Sequence, residues 1–385
     1  MEPFRELILF CVFVSTIYYV ITCITGILFA RQAVSPLPPL PDPPPHALVL
    51  RPLHGYSENM LCNARSLLEL DYLNKTTIFG ATSEKDGSTQ IVRALTQEQP
   101  SANVIGTVGQ AEAGNPKMGK LISMLRDAPD ADVIVMLDAD GRVAPNLLRR
   151  VIGELYEDDG VGAVTCIFSG TPGRREIGAH LEALLINTDF APTAMLSKFI
   201  EPTRYAFAAC IAIKRNVLRA IGGIEALRDN FGDDIVLGYK VAAAGYRVRI
   251  SNALVTTITE EKTLVDFLRH QIRSWRVDRR LRPISLGRIL INGCFWAVML
   301  LLFSGLHAGS VTLAALVVGV RLATSIAIIR NVLGVPLEKR DLFLIPFKDL
   351  LMAGVWGASL FGNTVRWSGR RLRLGANGKM QQVEC

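Results

Sequence analysis

Two carboxylates follow directly on a short apolar run, Val133-Ile134-Val135-Met136-Leu137-Asp138-Ala139-Asp140-Gly141. The run predicts a strand that is buried on both faces of a parallel sheet. Because side chains alternate along an extended strand, Asp138 and Asp140 are expected on the same face. Ligands of open α/β sheets bind beyond the carboxyl ends of the strands. The pair therefore lies where chemistry is expected.

Two carboxylates at this place suit a hard divalent cation such as Mn²⁺ or Mg²⁺, which keeps several waters and also binds substrate phosphate oxygens. The alternative is a solvated turn between strand and helix, in which Asp140 helps to cap a helix that begins near Pro145. The pattern D-x-D is short and common, so these residues alone leave both interpretations open.

A second acidic pair lies in Phe231-Gly232-Asp233-Asp234-Ile235, at the start of a helix predicted to end near Ala244. An acid in the first turn caps a helix and is favoured by its dipole. One acid is enough for that purpose. The other is then available for catalysis.

The elements that must position these acids alternate between strands and helices from Ala47 to about Thr259. The predicted strands are Ala47–Leu50, Thr76–Gly80, Asn103–Val108, Val133–Leu137, Val161–Phe168 and Tyr205–Ile213. The predicted helices include Ser57–Leu70, a short one beginning at Asn115-Pro116-Lys117, and Glu176–Met195. This alternation predicts an α/β domain with a mostly parallel, doubly wound sheet.

The N-terminal part of the chain predicts a membrane anchor followed by a linker. Leu7–Ala30 is an apolar run of 24 residues without a charge, long enough to span a bilayer with some tilt. A signal peptide has a shorter apolar core, so the anchor is expected to remain uncleaved. Ser35–Pro45 holds seven prolines in eleven residues. That composition favours a stiff polyproline II spacer that holds the next domain away from the anchor.

A basic amphipathic helix is predicted from Thr263, where Asp266 completes a capping box. Arginines alternate with apolar residues along it, a pattern typical of a helix at a membrane surface. A solvated helix is the alternative. The net charge of +7 and the pI near 9.1 suit anionic partners such as phosphates or an anionic leaflet. Nucleic acid fits less well, because the arginines concentrate beside apolar segments.

Further apolar segments predict a transmembrane hairpin, Ile289–Leu306 and Val311–Ile329, although Arg321 interrupts the second. Residues 343–362 are also apolar, but Lys348 and Asp349 break them near the start. The basic tail belongs on the cytoplasmic side. A hairpin returns the chain to that side, so 343–362 is predicted to be re-entrant or interfacial.

The predicted organisation has six parts. They are a transmembrane anchor (1–31), a proline-rich linker (32–46), an α/β domain (47–262), an interface helix (263–285), a membrane hairpin with a re-entrant segment (286–365) and a basic tail (366–385). The seven cysteines have no paired spacing and read as buried apolar residues in a reducing compartment.

In order and spacing, these motifs resemble the ceramide glucosyltransferase family and its bacterial branch, the hopanoid-pathway lipid glycosyltransferases. The likeness extends from the anchor to Arg373. It is carried by Arg51-Pro52-Leu53 through Leu70-Asp71-Tyr72, Asn115-Pro116-Lys117, Asp138-Ala139-Asp140, Asp233-Asp234 and Trp367-Ser368-Gly369-Arg370-Arg371. The resemblance implies a Rossmann-like GT-A fold, a nucleotide-sugar donor, a divalent metal and an inverting transfer.

By position, the resemblance implies that Asp140 binds the metal, with Asp138 beside it on the uridine diphosphate side. Asp234 is implied as the general base, next to Asp233. Lys117 is expected to share the charge of the diphosphate with an arginine of the 269–280 helix.

The same resemblance implies a hydroxyl acceptor on a membrane lipid, ceramide-like or hopanoid-like, and a UDP-sugar that carries glucose or N-acetylglucosamine. It also implies a multi-pass membrane protein of the bacterial inner membrane, with its catalytic domain in the cytoplasm.

The chain departs from the family pattern at two places. The family has an aspartate after its second strand that holds the uridine base, and the matching turn here is Ser83-Glu84-Lys85-Asp86. The uridine contact is therefore expected from Glu84 or Asp86. The family's later signature, Gln or Arg, two residues and Arg-Trp, appears as Gln271-Ile272-Arg273-Ser274-Trp275. Gln271 and Trp275 keep their places, and Arg273 or Arg276 is expected to supply the charge that Ser274 lacks.

Two other functions are consistent with parts of the sequence. A processive polysaccharide synthase would need a larger helical bundle to conduct its polymer. A non-catalytic membrane scaffold that binds nucleotide sugars or lipid headgroups is compatible with the two departures. Labelled UDP-sugars, incubated with membranes and followed by lipid extraction, would separate these alternatives.

Overall fold

The computed structural model describes residues 2–99, 103–200, 203–260, 263–367, 370–375 and 379–382. The chain divides into two compact units. The sheet unit comprises Ser35–Phe168, Ile200–Ile258 and Thr364–Cys385. The helical unit comprises Met1–Val34, Ser169–Phe199 and Thr259–Asn363.

An eight-stranded sheet organises the sheet unit. Its strands are β1 (Ala47–Pro52), β2 (Lys75–Ala81), β3 (Val104–Val108), β4 (Val133–Leu137), β5 (Gly141–Arg142), β6 (Val161–Pro172), β7 (Cys210–Lys214) and β8 (Arg247–Thr259). Their order is β3-β2-β1-β4-β7-β6-β8-β5. Strands β3, β2, β1 and β4 are parallel, whereas β7 is antiparallel to both β4 and β6. The predicted mostly parallel α/β sheet is thereby confirmed.

Alternate residues of the central strand β4 enter two separate cores, which is why this strand is apolar throughout. On β4, Val133 and Val135 join one apolar cluster, and Ile134 and Met136 join the other. All five residues of β4 are buried. A strand covered on both faces needs this continuous apolar run, so its first polar residue, Asp138, appears only where the strand ends.

The helices predicted from Ser57, from Asn115-Pro116 and from the pair Asp233-Asp234 begin where the sequence indicated. The helices of the sheet unit are α2 (Glu58–Arg65), α3 (Ser88–Glu98), α4 (Pro116–Arg126), α5 (Leu147–Tyr156), α8 (Arg215–Ala220) and α9 (Asp233–Ala243). Ser57 caps α2 by accepting a hydrogen bond from the backbone of Met60. Helix α2 ends at Arg65, earlier than predicted. The Ser66 hydroxyl donates to the Asn63 carbonyl at 2.6 Å, a local bond that competes with helix continuation.

Helix α9 packs closely on the chain that precedes β7, and Gly238 permits this. A Cβ at Gly238 would lie 2.4 Å from the Cα of Tyr205 and 2.7 Å from the nitrogen of Ala206. These are backbone atoms, so the contact could be relieved only by moving a whole segment. The start of α9 carries Asp233 and Asp234. Its position therefore depends on Gly238, which lies a little over one turn further along the same helix.

We expect Gly238→Ala to destabilise the protein by about 1–3 kcal/mol, as overpacking of a close contact does. The measurement is thermal unfolding of the purified protein in detergent. Gly357→Ala is the matched control, because a Cβ at Gly357 would meet nothing within 4 Å. An unfolding temperature for Gly238→Ala equal to that of Gly357→Ala would contradict the packing described.

The proline-rich segment 35–45 lies against the sheet unit. The Arg150 guanidinium donates to the Ser35 carbonyl at 2.8 Å. At the other end, the Tyr72 hydroxyl donates to the Pro45 carbonyl at 2.6 Å. Because proline has no N–H, a proline-rich segment cannot form regular backbone hydrogen bonds with itself, and its carbonyls are left to accept from neighbouring side chains. The segment is thus part of the surface of this unit, whereas the sequence predicted a projecting spacer.

The helical unit is built from longer apolar helices. They are α1 (Glu2–Ala33), α6 (Ile177–Leu185), α7 (Ala191–Phe199), α10 (Leu264–Leu281), α11 (Gly293–Ser304), α12 (Ala308–Ala327) and α13 (Asp341–Ser359). A π-helical turn, 186–190, joins α6 to α7, and another, 328–332, extends α12. The capping box predicted for α10 is present, with Thr263 and Asp266 satisfying each other's backbone.

Three helices in the described ranges are long and apolar enough to cross a membrane: α1, the helix 308–332 and α13. A 3₁₀ segment, 283–291, and α11 meet at 57°, as a broken span or a re-entrant loop would. The protein is a membrane protein, as predicted. Helix α13 is continuous, and the prediction that 343–362 is re-entrant or interfacial stays a prediction.

Four charged residues of the helical unit form one cluster, which is buried except for Asp189. Arg321 of α12 donates to the Asp349 carboxylate of α13 at 2.9 Å and also pairs with Asp189 at 3.1 Å. Lys348 lies 2.6 Å from Asp349 and 2.5 Å from Asp189. Two cations and two anions balance within the cluster, so these helices carry their charges as pairs.

The basic tail folds back on the sheet unit. Its strands β9 (Thr364–Trp367), β10 (Arg370–Leu374) and β11 (Met380–Gln382) form an antiparallel sheet. The Met380 amide donates to the Asp229 carbonyl at 2.9 Å. A tail bonded to the sheet unit must lie on the same side of the membrane as that unit, which requires an even number of crossings between them.

Labelling with a membrane-impermeant maleimide should show this topology. The natural, exposed Cys62 reports on the sheet unit, and Arg373→Cys reports on the tail. Under the predicted hairpin, Leu306→Cys is the control for the opposite side, because Leu306 is 81 % exposed in the loop between α11 and α12. In sealed vesicles of one orientation, Cys62 and Arg373→Cys should be labelled together and Leu306→Cys should be protected. Labelling of the tail together with Leu306→Cys would overturn the assignment.

Candidate active site

A lysine joins the two acidic motifs that the sequence singled out. Helix α4 begins at Pro116, with the Asn115 side chain accepting from the backbone of Lys117. From there the Lys117 ammonium lies 2.6 Å from Asp138, at the end of β4, and 3.3 Å from Asp233, in the first turn of α9. Burial alone would lower the pKa of Lys117, but these two carboxylates outweigh it and raise the pKa. The lysine is therefore charged throughout the physiological range.

Asp233 is held from two directions. Besides its contact with Lys117, it accepts a hydrogen bond from the side-chain amide of Asn115 at 3.3 Å. The same amide donates to the Asn230 carbonyl at 2.7 Å, which ties the start of α4 to the loop before α9. The contacts with Lys117 and Asn115 fix the position of Asp233, so its carboxylate helps to hold the start of α4 and the start of α9 together.

Asp234 differs from its neighbour in having no ion pair among the described residues. Its carboxylate accepts a hydrogen bond from the backbone of Ile235 at 2.8 Å. Burial, followed by the charge of Asp233, raises the pKa of Asp234 to about 7. A carboxylate with that pKa can both take up and release a proton near neutral pH, which a general base requires.

Asp140 lies in a tight turn that is fixed by its backbone. The Gly141 amide donates to the Asp138 carbonyl at 3.2 Å, and the Asp140 carbonyl accepts from the Asn63 side chain and the Ile258 amide, both at 3.0 Å. The side chain of Asp140 is left without an ion pair in the part of the chain that the structure describes. Solvent reaches it, but the protein crowded around it and the charge of Asp138 raise the pKa of Asp140.

Arg51, which sequence reasoning did not assign to the site, supports this turn from beneath. It is fully buried at the end of β1 and donates to the Asn63 carbonyl at 2.6 Å and to the Gly141 carbonyl at 2.7 Å. Burial lowers the pKa of Arg51 to about 10, although the charges of Asp140 and Asp138 oppose the shift. An arginine at the end of an apolar strand, in Leu48-Val49-Leu50-Arg51, was the signal that could have identified it.

A second missed residue, Lys120, lies one turn beyond Lys117 on α4. Its buried ammonium donates to the Leu53 carbonyl at 2.8 Å, and burial lowers its pKa to about 8 although the charge of Asp86 opposes the shift. The spacing of three residues from Lys117, which places both lysines on one helix face, was the available signal.

The two predicted uridine contacts have other partners. Asp86 accepts hydrogen bonds from the backbone of Gly55 at 2.7 Å and of Ser88 at 3.0 Å, and its other oxygen accepts from His54 at 2.9 Å. Burial opposes ionisation, but these bonds outweigh it and lower the pKa of Asp86. Glu84 is exposed and pairs with Arg93 at 2.6 Å. A uridine contact by either residue stays a prediction.

The predicted donor-binding residues of the later signature belong to α10 in the helical unit. Gln271 is buried and donates to Glu182 of α6 at 2.6 Å. The ring of Trp275 lies under the guanidinium of Arg288, 5.3 Å from it. Arg273 and Arg276 lie on the same helix and are partly buried. Their contacts with a donor stay predictions.

The acids at the end of β4 fit a divalent metal by their chemistry. Carboxylate oxygens are the donors that Mn²⁺ and Mg²⁺ prefer, and Mg²⁺ at nucleotide sites is usually held by one or two carboxylates together with substrate phosphates. The described ranges contain no group of three metal-binding side chains. A cation bound by Asp140 would favour the ionised carboxylate. It would thereby offset the desolvation that raises the pKa of Asp140.

This mostly parallel sheet, with acids at the end of β4 and at the start of α9, has the GT-A fold of glycosyltransferases. A solved structure with this fold is the mannosyltransferase PcManGT from Pyrobaculum calidifontis in complex with GDP-Man and Mn²⁺. It is 17 % identical to this chain, and the match has a TM-score of 0.52 and covers 90 % of this chain and 98 % of that one.

The chain belongs to glycosyl transferase family 21, whose family model matches residues 7–380. Ceramide glucosyltransferase 1 of Caenorhabditis elegans is 22 % identical over 268 residues, which are 69 % of this chain and 56 % of the relative. This chain thus aligns with little more than half of that relative's length. The resemblance to the ceramide glucosyltransferase family is confirmed, and the bacterial hopanoid branch stays a prediction.

Proposed function

We propose that this protein is a lipid glycosyltransferase that transfers a hexose from a UDP-sugar to a hydroxyl group of a membrane lipid, with inversion at the anomeric carbon. Membership of glycosyl transferase family 21 and the similarity to a ceramide glucosyltransferase support the reaction class. The apolar helices support an acceptor that is reached from a membrane. The hexose is glucose or N-acetylglucosamine, and the acceptor is ceramide-like or hopanoid-like.

The observation that carries the proposal is the difference between two adjacent carboxylates. Asp233 is paired with Lys117 and bonded to Asn115. Asp234 has no ion pair in the described ranges and has a pKa of about 7. A binding scaffold would gain nothing from keeping a crowded acid unpaired, whereas a base must stay unpaired to accept a proton.

In the proposed reaction, Asp234 takes the proton of the acceptor hydroxyl as that oxygen attacks the anomeric carbon. The new carbon–oxygen bond forms on the face opposite the diphosphate, and the bond to the diphosphate oxygen breaks with its electron pair. A UDP-α-sugar therefore gives a β-glycoside. Proton removal makes the hydroxyl a better nucleophile at the moment of attack.

The departing diphosphate needs positive charge. Asp140, with Asp138 beside it, would hold a divalent metal, which supplies charge neutralisation to the diphosphate when it is bound. Lys117 keeps Asp138 and Asp233 at fixed positions before the donor arrives. Its ammonium is close enough to this edge of the sheet to contribute to the same charge balance.

The helical unit would bring the acceptor. Helix α10 has arginines beside apolar residues such as Phe267, which is buried, and Val265, which is exposed. A helix of this kind binds an anionic leaflet by charge and burial together. We place the sheet unit in the cytoplasm, where UDP-sugars would be the donors, and the protein in a bacterial inner membrane.

The test is transfer of labelled sugar by the purified full chain in lipid nanodiscs. The panel of donors should contain UDP-glucose, UDP-N-acetylglucosamine and GDP-mannose, and the panel of acceptors a ceramide and a hydroxylated hopanoid. We expect a single-sugar lipid product from one of the UDP donors. A polymer would instead indicate a processive synthase, and nucleotide binding without any transfer would indicate a scaffold.

A further inference from the structure

A cavity of about 700 Å³ lies wholly within the helical unit, and none of the acids of the candidate active site lines it. One wall is formed by the end of β6 and by α6, from Gly170 to Asn187. The other is formed by the chain between Ile329 and Asp341. We call it the arginine cavity, after Arg174, Arg175 and Arg340 in its lining.

Two of these arginines have no counter-charge. Across the ranges that the structure describes, neither Arg174 nor Arg175 has an ion pair, and the Nε atom of Arg174 is buried without a hydrogen-bond partner. Arg340, by contrast, pairs with Glu338 at 2.8 Å and donates to His180 at 2.6 Å. Arg174 is half-buried and Arg175 is exposed beside it. A guanidinium without a carboxylate partner suits an anion, and phosphate matches its fork of donors.

The cavity also contains a carboxylate with spare acceptor capacity. Asp341 is 5 % exposed, and its Oδ2 accepts from the Glu338 amide at 2.7 Å. Its Oδ1 is buried and has no hydrogen-bond partner in the described residues. An unsatisfied buried carboxylate oxygen costs stability unless a donor reaches it. The ligand that suits this cavity therefore carries a hydrogen-bond donor as well as an anion.

The position of the cavity indicates where such a ligand comes from. Ile329 is near the C-terminal end of the candidate span 308–332, and Asp341 is the first residue of the candidate span α13. The cavity is thus at the adjoining ends of two apolar helices, and the ends of such helices lie at the depth of lipid headgroups. Apolar side chains complete its lining, among them Leu184, Val335 and Leu337. Such a mixed lining suits the glycerol and the first carbons of an acyl chain.

We propose that the arginine cavity binds the headgroup of a membrane glycerophospholipid. Arg174 and Arg175 hold its phosphate, and Asp341 accepts a hydrogen bond from a headgroup hydroxyl or ammonium. Phosphatidylglycerol and phosphatidylethanolamine carry such a donor, whereas phosphatidylcholine does not. This site is separate from the proposed sugar transfer, whose acceptor needs a hydroxyl and no phosphate.

The test is native mass spectrometry of the purified full chain, titrated in detergent with the dioleoyl forms of these three phospholipids. For the wild type we expect saturable one-to-one binding, tighter for phosphatidylglycerol and phosphatidylethanolamine than for phosphatidylcholine. Loss of a charge-assisted contact to phosphate in Arg174→Gln should weaken binding of all three about tenfold. Asp341→Asn should instead reduce the preference over phosphatidylcholine.

Arg330→Gln is the matched control, because Arg330 is an exposed arginine next to the lining residue Ile329 but outside the cavity lining. It should change binding less than twofold. Equal binding by Arg174→Gln and the wild type would overturn the proposal, as would an equal loss in Arg330→Gln. Inorganic phosphate at 10 mM forms a separate arm, on the order of cellular levels. Displacement of lipid by phosphate alone, without selectivity among headgroups, would assign the cavity to free phosphate and also overturn the proposal.

Discussion

Asp234→Asn is expected to slow lipid glycosylation by about 10²–10⁴-fold, which is the usual contribution of a positioned general base. Affinity for the UDP-sugar should stay near normal, because in the described residues the ion pairs of Lys117 are with Asp138 and Asp233 and not with Asp234. Asparagine keeps the shape of the side chain and an oxygen that can accept from the Ile235 amide. The measurement is single-turnover transfer in nanodiscs, together with donor binding by calorimetry.

Asp233→Asn is the matched comparison, since it changes the adjacent residue in the same way. It removes the 3.3 Å ion pair with Lys117 but leaves an oxygen for the amide of Asn115. We expect a milder loss of rate than in Asp234→Asn. A larger loss in Asp233→Asn would assign the base to that carboxylate. Normal transfer by both variants would place the base elsewhere and contradict the assignment at this motif.

The pH dependence provides a further readout of the same prediction. Asp234 acts as a base only when it is ionised, so the wild-type rate should rise with pH through about 7. Asp234→Asn should lose this rise. The raised pKa also means that ionised Asp234 disfavours the folded state, at a cost that grows between its ordinary pKa of 3.8 and about 7. The variant should therefore unfold at a temperature no lower than that of the wild type at pH 8.

Asp140→Asn is expected to weaken Mn²⁺-dependent binding of UDP, and turnover with it. Loss of partners that only orient metal ligands typically costs 10–100-fold in affinity, and loss of a charged ligand should cost at least about that much. The change should be local, because the turn is fixed through its backbone by Asn63 and Ile258. Isothermal calorimetry with and without Mn²⁺ measures both affinities.

The metal-free titration is the internal control for Asp140→Asn. Without metal, UDP should bind the variant no more weakly than the wild type, since one negative charge near the diphosphate has been removed. Asp71→Asn controls for a charge change at the surface, because the side chain of Asp71 is exposed and its ion pair with Arg149 is long, at 3.5 Å. Unchanged metal-dependent UDP affinity in Asp140→Asn would refute the role of Asp140 as a ligand.

Local patterns predicted the parts of the fold that local chemistry decides. The apolar run before Asp138 gave β4, and the caps at Ser57, Asn115 and Thr263 gave the starts of three helices. Helix ends were less predictable. Helix α2 stops at Arg65, where the Ser66 hydroxyl donates to the Asn63 carbonyl and competes with helix continuation. The hydrophobic periodicity of the sequence does not predict such a bond.

The sequence singled out acids that the structure brings near Lys117, but it did not show which contacts each of them makes. The sequence placed Asp233 and Asp234 at one helix start, and only the contacts of Lys117 and Asn115 show which of them is held. Arg51 was missed because a charged residue in a strand has no periodic signature. Arg51 acts by donating hydrogen bonds to the carbonyls of Asn63 and Gly141, which are distant from it in the sequence. Asp86 is the opposite case. The sequence offered it as a uridine contact, but both of its carboxylate oxygens accept hydrogen bonds from Gly55, Ser88 and His54.

The balanced charges of Arg321, Lys348, Asp189 and Asp349 have a consequence for how the protein is made. Arg321 is near the middle of the helix 308–332, and such a residue costs about 2.5–3.5 kcal/mol when its helix enters the bilayer alone. During synthesis, α12 leaves the ribosome before Lys348 and Asp349 do, so for that interval only Asp189 can offset its charge. The helix would therefore wait at the insertion machinery until α13 arrives. Truncation before Asp349 should then leave a chain that is degraded instead of a smaller stable protein.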